Sequence, residues 1–365
     1  MRYALETLSC VCALGRTNAE MLANLRVRST AGMVPLADEI PGRTVLFGAV
    51  QGVLPEIADP EYDTRTNRLI SLAVENSRAE FETFVARYGA DRVAVVLGTS
   101  NTGIDEAQRH VDEWIDTGAK PSAMRFSEIE LGTPAEWLAR VLGVKGPAYS
   151  ISTACSSSAK VFPAARRLIE AGVVDAAIVG GADGRCRFAL NGFNALGALS
   201  QGLCRPLAPD RDGINLGEGA ALFTMARAEG GTHVVCFAGA GETSDAYHPT
   251  APDPEGRGAA EAMSAALVDA GIAPEDVAYV NLHGTGTLAN DAMEMEAIRR
   301  VFPAFAAGAG PTCESTKPLT GHCLGAAGAV EAAICWLKLS SGDVKGAALS
   351  SSFAFGGSNA AAVFI

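Results

Sequence analysis

The chain has 365 residues, 48% of them apolar and 19% charged, and a formal net charge of −12. That balance excludes bulk disorder and predicts a well-filled core in one large domain or two fused halves. The negative charge argues against nucleic acid as a partner, and no apolar run reaches the roughly 20 residues needed to insert in a membrane.

In chain order, the N-terminal segment carries charged and polar residues too early for a signal peptide, so a cytoplasmic location is expected. Apolar, β-rich runs predict strands at 92–97, 148–153, 174–179, 219–225, 233–239, 277–282, 346–353 and 361–365. Helix-period runs predict helices at 70–88, 105–116, 134–142, 155–171, 256–270, 291–301 and 324–339. This alternation implies an α/β protein, a mixed sheet covered by helices on both faces. A polar, Gly-bearing joint at 227–231 divides the chain into halves, 1–230 and 231–365, although no sequence repeat is detectable. The nine cysteines are an odd number without framework spacing. Cys10, Cys155, Cys186, Cys236 and Cys335 lie in or near apolar runs, and most of the cysteines read as buried free thiols of a reducing cytosol.

Cys155, in Ser152-Thr-Ala-Cys-Ser-Ser-Ser158, falls between a strand-type and a helix-type run. A thiol at a helix N-terminus meets unpaired N–H groups that favour thiolate and could hold an oxyanion. A small buried cysteine beside a serine cap cluster explains the same residues equally well. Pro163 predicts a kink in the helix that follows.

His283, in Asn281-Leu-His-Gly-Thr-Gly-Thr287, is delivered by a strand into a turn of small residues. Those residues would admit a narrow substrate, and the hydroxyls of Thr285 and Thr287 could meet a polar linker. A structural histidine at a strand end is the competing account. His322 precedes a Gly/Ala-rich helix, with Lys317 five residues earlier and Glu331 on the helix. The lysine is either solvated, paired with Glu331, or positioned to order a histidine. The segment Ser350-Ser-Ser-Phe-Ala-Phe-Gly-Gly-Ser-Asn359 reads as a simple hairpin or as a glycine turn supplying an oxyanion N–H and an aromatic gate.

Taken together and in this order, STACSSS, NLHGTGT, STKPLTGHCLGAAGAVE and SSSFAFGGSN resemble the signature set of the type I/II β-ketoacyl-acyl-carrier-protein synthases, members of the thiolase superfamily. The short N-terminus, 93–99, NGFNALGALS and 244–252 are similar to the aryl polyene pathway ketosynthases. The resemblance implies a thiolase fold, duplicated and five-layered (α-β-α-β-α), in a homodimer or a heterodimer with a chain-length-factor-like subunit. It implies decarboxylative condensation with malonyl-acyl-carrier protein, on phosphopantetheine-borne substrates and with no bound cofactor or metal. Cys155 would be the nucleophile, His283 and His322 would stabilise the enolate, and Lys317 would order His322. The N–H groups of Cys155 and Phe355 would hold the oxyanion, while Thr285 and Thr287 would bind pantetheine. Phe355 would act as gate, Phe193 would line the acyl channel, and Glu331 would lend structural support.

Two departures qualify the resemblance. The segment 337–348 is shorter than the family's usual one. Gly197 stands where some relatives carry a cation for docking the carrier, so docking cations do not transfer from the resemblance, and Arg205 and Arg211 remain candidates. A thiolase would need a second cysteine near the C-terminus, where the chain reads FAFGGSN. A Cys-His-Asn starter synthase is disfavoured by the Lys317/His322 segment. A non-catalytic scaffold subunit would typically lose the nucleophile or a histidine.

Overall fold

The computed structural model describes residues 1–229 and 235–365. The expected joint at 227–231, the boundary at 230/231 and the first residues of the strand expected at 233–239 lie at least partly outside the described residues. Ten strands build the main sheets: β1 (Leu8–Cys12), β2 (Val93–Gly98), β3 (Ala148–Ile151), β4 (Ala176–Asp183), β5 (Gly219–Arg227), β6 (Cys236–Ser244), β7 (Val277–Asn281), β8 (Thr312–Glu314), β9 (Ala347–Ala354) and β10 (Ser358–Phe364). The helices that cover them are α1 (Arg65–Asn76), α2 (Thr133–Leu142), α3 (Val161–Glu170), α4 (Arg257–Ala270), α5 (Leu288–Val301) and α6 (Ala327–Ser340).

The first five strands pair in the order β3-β2-β4-β5-β1. The last five pair in the order β8-β7-β9-β10-β6. The two orders are identical once five is added to each strand number, and parallel and antiparallel neighbours fall at the same places. The duplication that leaves no readable repeat in the residues is therefore explicit in the topology. A two-residue strand, Tyr3–Ala4, pairs antiparallel with both β5 and β6 and stitches the halves together.

The apolar clusters show how the layers stack. Side chains alternate across a strand, so Val96 of β2 points to the central layer while Val95 and Leu97 point outward. The central cluster joins Phe162 of α3 and Val330 and Ile334 of α6 to Val179 and Phe223 of one sheet and Phe237, Tyr279 and Phe364 of the other. Phe162 is the hinge of this packing, with ring centroids 5.4 Å from Phe223 and 5.5 Å from Phe364. On the outer faces, α1 and α2 bury Leu69, Ile70 and Leu138 against the first sheet. Helices α4 and α5 bury Met263, Met293 and Ile298 against the second. The result is five layers, α-β-α-β-α.

Several boundaries differ from the expectations. The single helix expected at 70–88 breaks at Ser77, whose φ of −141° is not helical, into Arg65–Asn76 and Arg78–Tyr88. Asn76 and Ser77 are weak helix formers that compete for backbone hydrogen bonds. The helix expected from Cys155 begins later, as a 3₁₀ turn at Ser157–Ala159 followed by α3. Pro163 lies in the first turn of α3, where a missing N–H costs least. The short segment at 337–348 is a direct connection from α6 to β9, closed by the Val344 N–H donating to the Lys338 carbonyl at 3.0 Å.

Candidate active site

The site forms at the seam between the halves. Cys155 comes from the turn after β3, His283 from the turn after β7, and His322 from the segment before α6. Ala154, immediately before the thiol, has φ +52°, a left-handed conformation that an alanine adopts only when its surroundings hold it there. The turn is held by the Thr153 N–H donating to Ser157 Oγ at 2.9 Å and by Ser157 Oγ donating to the Ala154 carbonyl at 2.5 Å. Glycine is required beneath it, because a Cβ on Gly98 would lie 2.3 Å from Ser158 N.

Sγ of Cys155 lies 2.9 Å from Nε2 of His322. The rings of His283 and His322 meet edge to face, with centroids 5.1 Å apart. One ligating atom from each of the three residues falls within 4.8 Å of the others. A soft sulfur–nitrogen set of this kind suits zinc by type, but the ammonium of Lys317 beside His283 opposes a cation there.

Lys317 is buried, 3.5 Å from Nδ1 of His283, donating to the His283 carbonyl and ion-paired with Glu331. The expectation that Lys317 orders His322 is corrected: it stands at the other histidine. A donor at Nδ1 makes that nitrogen the acceptor, which leaves the ring proton on Nε2 of His283. Nδ1 of His322 has no hydrogen-bond partner among the described residues, so its tautomer is not pinned.

Burial, reinforced by the Lys317 charge, lowers both imidazoles well below the usual histidine range, so both are neutral near pH 7. Of the two readings of Cys155, thiolate or small buried cysteine, burial favours the neutral thiol. The residue is 8% exposed, and burial pushes its thiol up to about 12 despite the opposing charge of Lys317. The resting nucleophile is a protonated thiol with an imidazole acceptor in contact.

Two buried carboxylates that the motifs did not single out hold the frame. Glu294 of α5 accepts from the N–H groups of His283 and Gly284, both at 2.7 Å, and from Ser351 Oγ at 2.9 Å. Burial pushes Glu294 up to about 7. Asp183, at the end of β4, accepts from Thr99 Oγ1 at 2.7 Å, the Asn101 N–H at 2.8 Å and the Gly325 N–H at 2.6 Å. It thereby ties the first half to the turn after His322. The signals were an acidic residue closing an apolar strand and a glutamate eleven residues after His283.

Two cavities meet at Cys155. One, about 230 Å³, is lined by His283, His322, Thr285 and Thr287. The other, about 450 Å³, is lined by Ile104, Phe188, Ala189 and Gly192. Phe193 and Phe355 line both, stacked with centroids 5.6 Å apart, and Phe355 is 41% exposed. The hydroxyls of Thr285 and Thr287 are 2.9 Å apart on the wall of the first cavity. Of the docking substitutes, Arg211 is largely buried, 3.4 Å from Asp291, and Arg205 is exposed but paired with Asp210. Arg211 is therefore a structural cation. Seven of the nine cysteines are buried, Cys10, Cys186 and Cys335 among them as expected, whereas Cys236, expected to be buried, is half-buried at the start of β6. Among the described residues no helix is long and apolar enough to cross a membrane.

The family model of the β-ketoacyl synthase N-terminal domain matches residues 64–230, and that of the C-terminal domain matches residues 234–347. Nodulation protein E of Rhizobium sp. (strain N33) is 32% identical over 355 residues, covering 94% of this chain and 87% of that protein. The chain belongs to the β-ketoacyl synthase family. Within it, the 3-oxoacyl-[acyl-carrier-protein] synthase 2 of Staphylococcus aureus is 37% identical over 255 residues, 67% of this chain and 63% of that enzyme. Among solved structures, the ketosynthase ApeO of Xenorhabdus doucetiae, in complex with its chain length factor ApeC, superposes with a TM-score of 0.92. It is 38% identical and covers 100% of this chain and 97% of its own. The ishigamide ketosynthase/chain length factor superposes with a TM-score of 0.88 at 26% identity, covering 100% of this chain and 98% of its own. The family places the chain among acyltransferase condensing enzymes with the thiolase fold.

Proposed function

We propose that this chain is the catalytic subunit of a β-ketoacyl synthase, condensing an acyl group held on Cys155 with malonyl-acyl-carrier protein by decarboxylative Claisen chemistry. The observation that carries the reading is the convergence of Sγ of Cys155 with both imidazoles at the junction of two cavities. A scaffold subunit has no need of a contacting thiol and imidazole, or of a buried lysine fixing the second ring.

In the first stage His322 Nε2 accepts the thiol proton as sulfur attacks the acyl thioester, and the proton passes to the departing phosphopantetheine thiolate. In the second stage Nε2–H of His283, together with His322 in its other tautomer, donates to the malonyl thioester carbonyl. Carbon dioxide leaves, and the enolate carbon attacks the acyl-Cys155 carbonyl. The N–H groups of Cys155 and Phe355 hold the resulting oxyanion, a contribution of roughly 3 kcal/mol per donor. Collapse expels the Cys155 thiolate, which takes up a proton, and releases a β-ketoacyl thioester. Thr285 and Thr287 face the pantetheine arm in the smaller cavity. The aromatic stack of Phe193 and Phe355 gates the larger one, which receives the acyl chain. Glu331 neutralises Lys317.

The likeness to the complex of ApeO with its chain length factor supports a homologous chain-length-factor subunit as a partner, and the likeness to the 3-oxoacyl-[acyl-carrier-protein] synthase 2 supports an acyl carrier protein. Aryl polyene assembly as the setting and the cytoplasm as the location rest on the sequence motifs and composition. The halves 1–230 and 231–365 supply the nucleophile and the two histidines respectively. The test is carbon dioxide release from malonyl-acyl-carrier protein together with mass spectrometry of the acyl group on Cys155. Wild-type protein is expected to do both. Condensation at the normal rate by Cys155→Ala would contradict the reading.

A further inference from the structure

Lys160 is a feature that the chemistry above leaves unused. It follows the nucleophile turn by five residues, and its side chain is only 15% exposed. Burial lowers its pKa, with Glu242, 3.9 Å away, opposing that effect and Arg167 adding to it. Its one close partner is neutral: Nζ donates to Ser358 Oγ at 2.8 Å. Ser358 Oγ is in turn 3.0 Å from Ser156 Oγ, which donates to the Thr153 carbonyl at 2.8 Å.

The donor directions follow from the charge. An ammonium has only protons to give, so Ser358 Oγ accepts from Lys160 and its own proton turns toward Ser156. Ser156 is the residue after the nucleophile, and Ser358 is the residue after the turn Phe355–Gly357. The gate turn is pinned on its other side by the Gly356 N–H on the Pro249 carbonyl at 2.7 Å and by the Gly357 carbonyl accepting from the Asp245 N–H at 2.8 Å. Among the described contacts, the Ser156–Ser358 bond is the direct side-chain tie between the nucleophile turn and the gate turn.

We propose that Lys160 is a positioning residue. Acting through Ser358 and Ser156, it sets the spacing between the N–H groups of Cys155 and Phe355, and with it the fit of the oxyanion pocket. This rests on the condensing reading above. It makes a distinction that a stabilising role would not make. Acyl transfer to Cys155 forms an oxyanion in that pocket, whereas malonyl decarboxylation places its charge on the histidines.

The experiment uses Lys160→Met, Lys160→Arg and Ser358→Ala in the full chain, together with any homologous subunit that co-purifies. Three quantities are measured: single-turnover acylation of Cys155 from an acyl-carrier thioester, carbon dioxide release from malonyl-acyl-carrier protein, and the melting temperature. Misplacing a catalytic group by a fraction of an ångström to 1 Å costs roughly ten- to a hundredfold. Lys160→Met and Ser358→Ala are therefore expected to slow acylation at least tenfold at unchanged half-saturation. Decarboxylation should stay within about twofold, and Lys160→Arg, which keeps a cationic donor, should recover most of the loss. If acylation by Lys160→Met is normal, or if both reactions fall in parallel with the melting temperature, the proposal is overturned. If Lys160→Met does not fold, Ser358→Ala decides by the same criteria. Wild-type protein that neither acylates nor decarboxylates would remove the condensing reading itself, and this inference with it.

Discussion

The ammonium of Lys317 lies 3.5 Å from Nδ1 of His283 and is ion-paired with the buried carboxylate of Glu331. One cation thus fixes the tautomer of an imidazole and neutralises an acid that water cannot reach. Lys317→Met is expected to lower malonyl decarboxylation by 10²-fold or more, on the scale of a lost electrophilic donor. It should also destabilise the protein by about 3–5 kcal/mol, because Glu331 is left buried without a partner. The double variant Lys317→Met/Glu331→Gln should recover stability but not decarboxylation, a contrast read by calorimetry and carbon dioxide release.

The raised thiol of Cys155 predicts its alkylation profile. With a pKa pushed up to about 12, the thiolate fraction grows throughout the accessible range. The rate of iodoacetamide labelling at Cys155, followed by peptide mass spectrometry, should still be climbing at about pH 9 rather than levelling near the ordinary cysteine value of about 8.5. His322→Ala should slow labelling near pH 7 by removing the acceptor in contact with the sulfur.

Glu294 predicts a pH dependence of stability. Burial pushes its carboxyl up from the ordinary value of 4.5 to about 7 in the folded protein. Between those values the unfolded chain has already lost a proton that the folded chain retains, so stability falls as pH rises from about 4.5 to 7 and is level above. The order of magnitude is about 3 kcal/mol for this fully buried group. Glu331, also pushed up to about 7, adds a slope of the same sign, and the lowered imidazoles of His283 and His322 add the opposite one below about 6.5. The share of Glu294 is therefore read as the difference in melting temperature between wild type and Glu294→Gln, which should change across pH 4.5 to 7 and be constant above.

The stacked rings of Phe193 and Phe355 separate the two cavities at the thiol. Phe355→Ala should open the larger cavity to solvent and raise spontaneous hydrolysis of acyl-Cys155 severalfold. Free fatty acid released from the loaded protein in the absence of malonyl donor is the measurement. No increase would show that the ring does not guard the acyl group.

A test of the frame is Gly98→Ala. The added methyl would sit 2.3 Å from Ser158 N, a backbone atom that cannot turn aside. Overpacking of this kind typically costs about 1–3 kcal/mol, and the strain would be delivered to the nucleophile turn. Both the melting temperature and the acylation rate are expected to fall.

The strands of the core were legible because burial on both faces makes them continuous apolar runs, as in Val93–Gly98 and Gly219–Arg227. The site was legible as four separate segments, and their wording supplied the resemblance that joined them. The duplication was legible through the resemblance but not as a repeat in the residues, since strand order is a matter of which edges pair and leaves no trace in residue identity. The ion pair of Lys317 with Glu331 was legible, but the histidine beside it was not. Proximity along the chain favoured His322, but the turn after Lys317 carries His322 toward Cys155 and brings the ammonium under the carbonyl of His283. Of the two readings of Cys155, the buried thiol is the one the structure favours: the helix begins after the thiol, at Ser157 or later, and desolvation, which the sequence does not display, raises its pKa.

The matching strand orders also mean that equivalent positions in the two copies have diverged into unlike jobs. The crossing after β3 carries the sulfur, whereas the imidazoles come from two different crossings of the second copy. Neither copy holds a complete set of reactive groups, so damage to one cannot be covered by the other. Rotating one half against the other by a few degrees would disarm the protein without unfolding either, which makes the Tyr3–Ala4 stitch and the Asp183 tether part of the chemistry's alignment.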